Sequence, residues 1–192
     1  MTIKALLGML PNDLSIDLSY DAGFELSNGV TIAFVPQNPF TALSPLTKIK
    51  DQFFIDENEI LELFEQVALD KELLNRFPNQ LSGGQLQRVV IAIALGIKPK
   101  LILLDEPTTA LDPKTRDMIL ELLNSLREKY GFKMLFVTHD INSAKAVCNN
   151  ICVIKKGKVV EEGDMQSILS FPKEIYTQTL INANFANRKF RV

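Results

Sequence analysis

The sequence predicts an α/β protein built around a parallel β-sheet. Two apolar runs of strand length, Leu101–Leu104 and Met134–Val137, stand on either side of a segment with helical periodicity, Thr115–Tyr130. Short apolar runs separated by a helix are typical of parallel strands joined by crossover helices, because both faces of such strands are buried. The apolar run Val30–Val35 predicts a further strand.

The residues ahead of that strand are expected to form the end of a helix and then extended chain. Thr2–Leu10 carries apolar residues at helical spacing and stops at a proline, which cannot continue a helix. Ile16, Leu18 and Tyr20 alternate with polar residues, and Ser27–Gly29 has the composition of a turn. A hairpin or a sheet edge fits this alternation.

The middle of the chain is predicted to be all-helical. Gln37–Pro45 is rich in proline and small polar residues and therefore marks a loop. Glu57–Leu69 has the pattern of an acidic helix with one apolar stripe. The stripe consists of Ile60, Leu61, Phe64, Val67 and Ala68. Helical character then continues to the region of Ile97.

The C-terminal part continues the alternation of strands and helices. Its pattern predicts a short helix, a strand, a turn and further amphipathic helix, over Asp140–Val147, Ile151–Ile154, Lys155–Lys158 and Asp164–Ala183 respectively.

Composition bounds the class of protein. At 192 residues the chain is long enough for one full domain. Its 21 basic and 23 acidic residues give a net charge of -2, so no general attraction to nucleic acid is expected. Cys148 and Cys152 form no CxxC pair and are expected to be free thiols in a reducing cytosol. No apolar stretch approaches the roughly 20 residues of a membrane span, and the N-terminus does not resemble a signal peptide. The protein is expected inside the cell.

Several polar side chains are predicted to meet at the carboxyl edge of the sheet, where parallel sheets bind ligands. Asp105 and Glu106 end one strand, His139 follows the next, and Gln37 follows the strand before them. Asp105 and the Gln37 amide oxygen can ligate Mg²⁺, Glu106 can accept a proton from water, and His139 can bond a phosphate or that water. The alternatives are a solvated strand end, an incidental histidine and a glutamine without a role.

A second anion site is predicted where Ser82, Gly83, Gly84 and Gln85 open an apolar helix. Serine is a favoured N-cap, and two glycines bare the backbone N–H groups behind it. The alternative is a flexible cap without function. Asp112 likewise has two interpretations, a ligand-binding residue or the N-cap of the helix that starts near a proline.

Five motifs together resemble the ATPase subunits of ABC transporters over nearly the full chain. In the family order they are the Q-loop at Gln37, the signature Leu81–Gln85 (LSGGQ), the Walker B strand Leu101–Pro107 (LILLDEP), the D-loop Thr109–Asp112 (TALD) and the switch histidine His139. Each motif alone is weak. Their common order and spacing make an independent coincidence hard to credit.

Finer resemblance points to the branch that imports dipeptides, oligopeptides or nickel. The segments QNPFTALSP, FPNQLSGG and DEPTTALD look like that branch's motifs, and ALLGMLP looks like the stretch after its phosphate loop. FPKEIYTQTLINA is similar to the motif that closes its core domain. The cysteine-bearing tail of many peptide importers is absent, which leaves the substrate open.

The resemblance implies a P-loop-NTPase-like parallel sheet with flanking helices and an inserted all-helical subdomain. Residues 46–97 would form the helical signature subdomain, and 1–45 and 98–192 the remainder of one ATPase domain. It also implies ATP and Mg²⁺ as cofactors, a second ATPase subunit and membrane permease subunits as partners, and a place on the cytoplasmic face of the membrane. Glu106 would be the general base and His139 the phosphate sensor. Ser82–Gln85 would clamp the nucleotide held by the other subunit.

The sequence contains no phosphate loop of the form G-x-x-x-x-G-K-[ST]; its only Gly-Lys step, Gly157-Lys158, belongs to the predicted turn. We expect the chain to be N-terminally truncated relative to the family, and by itself to bind ATP weakly without turnover, because several charge-assisted hydrogen bonds are missing. Loss of a strand would also expose apolar surface, which makes self-association a further hypothesis.

Two other functions remain open. A non-catalytic dimerising or regulatory fragment would keep the fold without hydrolysing nucleotide. A chromosome-maintenance or repair ATPase also carries an LSGG signature, but the sequence lacks a heptad coiled coil, and its signature and Walker B segments lie close together.

Overall fold

The computed structural model describes residues 6, 7, 9 and 21–186. It contains two compact units, Met1–Val137 and Thr138–Val192, which we describe separately. The predicted helix end at 2–10 falls mostly outside the described residues, as does the alternation at Ile16, Leu18 and Tyr20. No helix in the described part of the chain is both long and apolar enough to span a bilayer.

A three-stranded parallel sheet forms the centre of the first unit and confirms the predicted fold class. Its strands, in spatial order, are β1 (Ile32–Val35), β2 (Leu101–Asp105) and β3 (Lys133–Val137). Leu101 lies opposite Ile32 on one side and Lys133 on the other. The predicted turn before β1 is confirmed: Gly29 has φ of 71°, a conformation that favours glycine.

The regular structure of the described chain between β1 and β2 is helical. The α-helices of the unit are α1 (Glu57–Gln66), α2 (Gly83–Gly96) and α3 (Pro113–Tyr130). Short 3₁₀ turns occupy Pro39–Thr41, Ile49–Gln52, Lys71–Asn75 and Pro78–Gln80. The sequence explains both ends of α3. Asp112 caps its start, and Gly131, with φ of 69°, ends it in the left-handed conformation.

The apolar stripe predicted for α1 is partly wrong. Ile60, Phe64 and Val67 are buried as expected, but Leu61 is 38% exposed, and Leu63 is buried in its place. Leu63 faces α2, and its Cδ1 lies 3.8 Å from the position that a Cβ of Gly96 would take. Ala68 is exposed because α1 has already ended and the chain has turned to φ of 52°.

The prediction of a buried strand at β3 is also wrong. Leu135 and Val137 are each 37% exposed, whereas Met134 and Phe136 pack against the main core. Among the described residues, β3 pairs only with β2. As an edge strand it therefore buries one face in part and leaves the other exposed.

Residues on the two faces of β2 belong to separate hydrophobic clusters. Ile102 and Leu104 belong to the main core together with α1, α2 and α3. Leu103 is equally buried but packs with Leu7 and Ile32. Side chains of a strand alternate between faces, so neighbouring leucines support different layers.

The second unit contains a helix, a β-hairpin and two further helices. They are α4 (Ile141–Val147), β4 (Asn150–Lys155), β5 (Lys158–Asp164), α5 (Met165–Ser170) and α6 (Ile175–Ala186). The predicted turn is confirmed, because Lys156 and Gly157 have φ of 50° and 78°. β4 pairs antiparallel with β5, and it is not part of the three-stranded sheet.

A buried carboxylate stabilises the second unit. Glu161 on β5 accepts hydrogen bonds from the N–H groups of Lys173 and Glu174, at 2.8 and 3.2 Å, just before α6 begins. The bond from Lys173 is the main reason that the pKa of Glu161 lies below its ordinary value. The hairpin is thereby tied to the start of α6.

Candidate active site at the carboxyl edge of the sheet

The sequence-predicted polar residues of the first unit follow neighbouring strands. Val35 lies opposite Leu104, so Gln37 and Asp105 emerge at the same edge of the sheet. Gln37 is exposed, and Asp105 is partly buried. Asp105 and Gln37 thus both lie at the sheet edge for which the ligand site was predicted.

Glu106 stands at the end of β2 in an uncommon backbone conformation. Its φ is 49°, a left-handed value that non-glycine residues rarely adopt. Its N–H donates to the Val137 carbonyl at 2.8 Å, and its carboxylate accepts a hydrogen bond from the Thr109 hydroxyl at 2.5 Å. Such strained positions cluster at functional sites. The left-handed backbone turns the chain away from the strand direction, and the bond from Thr109 orients this carboxylate.

The signature segment forms the N-terminus of α2 as predicted. Ser82 accepts a hydrogen bond from the Gln85 N–H, and the Gln85 side chain accepts one from the Ser82 N–H, a reciprocal capping box. The N–H groups of Gly83 and Gly84 have no hydrogen-bond partner in the described structure. They line a cavity of about 340 Å³. Free N–H groups and the helix dipole make this end of α2 suited to an anion.

The cavity's opposite wall is the start of α3. A Cβ added at Gly84 would lie 2.5 Å from Cγ2 of Thr115, so only glycine fits there without movement. The Thr115 hydroxyl and N–H donate to Asp112 at 2.6 and 3.1 Å. The hydroxyl bond is the main cause of the lowered pKa of Asp112. Asp112 is therefore an N-cap in this structure, and its role in nucleotide binding stays a prediction.

Arg88 joins the signature helix to the end of α1. Its guanidinium donates to the carbonyls of Gly84, Val67 and Ala68, at 3.3, 3.3 and 2.5 Å. Burial lowers the pKa of Arg88. Sequence reasoning did not single out this residue, because the pairing depends on how α1 ends.

His139 follows β3 in the chain and belongs to the second unit. Its side chain is exposed. The position of His139 at the same edge as Glu106 stays a prediction.

The protein side chains fit Mg²⁺ bound together with a nucleotide rather than a metal held by protein alone. In the described residues, no three His, Cys, Asp or Glu side chains are grouped to hold a metal ion. Asp105 and Gln37 offer oxygen atoms at one sheet edge. Mg²⁺ commonly takes one or two protein oxygens and completes its shell with phosphate and water.

Comparison with known proteins decides the family. The family described as "ABC transporter" matches residues 5–109. The metal-staphylopine import system ATP-binding protein CntD of Staphylococcus aureus is 32% identical over 95% of this chain and 76% of its own length. The chain belongs to the ABC transporter family.

Other ABC relatives have names from peptide transport. The oligopeptide transport ATP-binding protein OppD of Lactococcus lactis is 38% identical over 81% of this chain and 50% of its own length. The peptidoglycan transport ATP-binding protein YejF of Agrobacterium fabrum is 40% identical over 81% of this chain. This ABC chain spans 31% of YejF and half of OppD.

Solved ABC structures confirm the fold. The dimeric ATP-binding cassette MJ0796, in a post-hydrolysis state with ADP and Pi, matches with a TM-score of 0.61 and 36% identity over 71% of this chain and 64% of that one. The cbiO1 subunit from Clostridium perfringens matches with a TM-score of 0.66 and 25% identity over 84% of this chain and 68% of that one. The predicted class, an ATP-binding subunit of the ABC transporter family, is therefore confirmed.

Proposed function

We propose that this chain acts in an ABC importer of the peptide or nickel class, where ATP hydrolysis drives transport through a membrane permease. The observation that carries the proposal is Glu106, whose backbone is strained at the end of β2, at the same sheet edge as Asp105 and the exposed Gln37. The relatives named for oligopeptide transport and metal-staphylopine import support the substrate class.

In this function Glu106 is the general base. A water attacks the terminal phosphorus of ATP, its proton passes to the Glu106 carboxylate, and the bond to the leaving ADP oxygen breaks. Asp105 and Gln37 would hold Mg²⁺, which neutralises charge on the phosphates when bound. His139 would bond the terminal phosphate, and Ser82–Gln85 would clamp a nucleotide bound by a second ATPase subunit.

A second function is favoured by one specific observation. The signature helix is fully formed, with the reciprocal capping box of Ser82 and Gln85 at its N-terminus. A chain of this kind is suited to complete a nucleotide site of a partner subunit without hydrolysing ATP itself. This is the non-catalytic dimerising role.

One experiment separates the two functions. The transporter complex that contains this chain would be purified, and its ATP turnover measured with Glu106→Gln, Gly83→Asp and the exposed control Glu128→Gln. A catalytic subunit should lose about 100-fold or more with Glu106→Gln. A non-catalytic partner should lose turnover with Gly83→Asp and keep it with Glu106→Gln. If neither variant lowers turnover more than the control does, both functions are wrong.

The permease contact is proposed for a loop with exposed apolar side chains. Leu46 and Phe54 are 88% and 96% exposed. The Gln52 side chain bonds Ser44 and Thr47 and thereby holds this loop against the 3₁₀ turn before Phe54. A peripheral position on the cytoplasmic face of the membrane would bring these side chains to the permease.

Co-purification tests this contact. Phe54→Glu should release the permease subunits from the chain, whereas Val30→Glu, at another exposed apolar residue of the same unit, should not. Equal retention of the permease by both variants would place the contact elsewhere.

We also propose that the purified chain self-associates through the edge of β3, where Leu135 and Val137 are partly exposed. Unpaired strand edges readily accept further strands. A monodisperse monomer in light scattering would contradict this.

A further inference from the structure

The signature helix and the loop after β2 touch each other within one chain. The nearest approach joins Gly84, in the first turn of α2, to Cγ2 of Thr115, in the first turn of α3. Leu111 of the loop lies nearby, with its Cδ2 at 4.0 Å from the position that a Cβ of Gly83 would take. These residues also line the same cavity.

Thr115 interacts on two sides at once. Its methyl group packs on Gly84, and its hydroxyl and N–H both bond the Asp112 carboxylate. A threonine is the smallest residue that provides a methyl and a hydroxyl on the same carbon. β-Branched side chains are also stiff at χ1, so movement of one group carries the other with it.

Asp112 ends a short loop that begins at Glu106. Two successive turn bonds brace the loop, from the Thr109 N–H to the Glu106 carbonyl and from the Leu111 N–H to the Thr108 carbonyl, both 3.2 Å. The Thr109 hydroxyl bonds the Glu106 carboxylate at 2.5 Å. A continuous series of contacts therefore links Gly84 to the carboxylate of Glu106.

We propose that Thr115 is a positioning residue that couples the signature glycines to the loop carrying Glu106. A force on the N-terminus of α2 passes through the Thr115 methyl to Asp112 and along the braced loop to Glu106. The consequence for catalysis rests on the proposed function, since it requires a nucleotide at the signature. The coupling itself belongs to the chain alone.

Amide hydrogen exchange of the purified chain, followed by NMR, tests the coupling with two complementary variants. Thr115→Val keeps the packing on Gly84 and removes the hydroxyl. Thr115→Ser keeps the hydroxyl and removes the methyl. Each variant should accelerate exchange of two amides, Gln85 on α2 and Thr109 in the loop. The expected factor is about three- to tenfold, because this is the effect of losing one cap or contact. Thr179→Val, at an exposed threonine of the second unit, is the control and should change neither amide.

A purely structural role for Thr115 predicts a different result. Loss of the cap alone would accelerate exchange at Arg116 in the first turn of α3 and leave Gln85 and Thr109 unchanged, which would overturn the proposal. If Thr115→Val does not fold, Asp112→Asn replaces it. Asparagine is also a good N-cap, but one of its two terminal groups is an amide NH2, so it loses the second oxygen, which accepts the bond from the Thr115 hydroxyl. The same two-segment response is expected from that variant, and a response confined to α3 would again overturn the coupling.

The exchange experiment and the turnover experiment fail independently. Exchange is measured without ATP or partner subunits, so a protein without ATPase function can still show the coupling. Suppose that the Thr115 variants accelerate exchange only in the first turn of α3, while Glu106→Gln abolishes turnover. That result would overturn the coupling and leave the proposed function intact.

Discussion

Replacing Gly84 by alanine tests the contact at the signature helix directly. The new Cβ would stand 2.5 Å from Cγ2 of Thr115, whereas carbon atoms in contact prefer about 3.5–4.0 Å. Relief of this overlap needs a shift of roughly 1 Å by α2, α3 or the threonine, and such overpacking costs about 1–3 kcal/mol. Helix propensity offsets up to about 1 kcal/mol in favour of alanine. We therefore expect Gly84→Ala to be destabilised by about 1–2 kcal/mol.

Urea unfolding, followed by far-UV circular dichroism, measures this cost. The midpoint should fall by roughly 0.3–2 M, given a usual urea dependence of about 1–3 kcal/mol per M. Gly83→Ala is the matched control, because its nearest atom would be 4.0 Å away, and it should be neutral or slightly stabilising. Adding Thr115→Ser to Gly84→Ala removes the clashing methyl and should recover about 1 kcal/mol. The reasoning is refuted if Gly84→Ala is as stable as Gly83→Ala, or if the second substitution recovers nothing.

Three further results are expected. Leu104→Ala, at a fully buried side chain, should lower the free energy of unfolding by about 2–5 kcal/mol. The exposed control Leu61→Ala should lower it by about 0.5 kcal/mol or less. Equal losses in the two variants would contradict the assignment of Leu104 to the core. Folding lowers the pKa of the Glu161 carboxylate from its ordinary value of 4.5. This carboxylate therefore stabilises the second unit at pH values above its unfolded-state pKa, and the stabilisation is lost as the pH falls through its pKa in the folded chain. In thermal unfolding, Glu161→Gln should therefore have a lower midpoint temperature than wild type at pH 7, and this midpoint should fall less in acid. Glu162→Gln, at the neighbouring exposed residue, is the control and should behave as wild type. If acid lowers the midpoint of Glu161→Gln as much as that of wild type, the capping role is contradicted. Calorimetry of the 192-residue chain with ATP should show no binding heat up to about 1 mM nucleotide, because these residues contain no G-x-x-x-x-G-K-[ST] segment. Tight binding would contradict this expectation.

The local elements of this protein were largely predictable because their signals are short-range. β2 is a run of apolar residues of strand length, and Asp112 followed by a proline predicts the start of α3. Ser82 predicts the start of α2 in the same way, and its reciprocal bonds with Gln85 follow from the spacing of a capping box. Each of these signals depends on residues within a few positions of each other.

The errors came from features that depend on distant neighbours. Leu135 and Val137 are as apolar as the residues of β2, yet sequence gives no indication that β3 lies at the edge of the described sheet. Leu63 replaced Leu61 on the buried side of α1 because α2 approaches from that direction, at Gly96. Apolar periodicity shows that a face is buried but not which element covers it.

The sequence by itself determined the order of strands and helices, the helix caps and the five family motifs, since these are fixed by local backbone preferences and by residue identity along the chain. The tertiary structure alone decided which motifs touch. Gly84 and Thr115 are far apart in the chain and meet because α2 and α3 pack on the same sheet. Only that packing makes a glycine necessary at one position and gives a threonine two partners at the other.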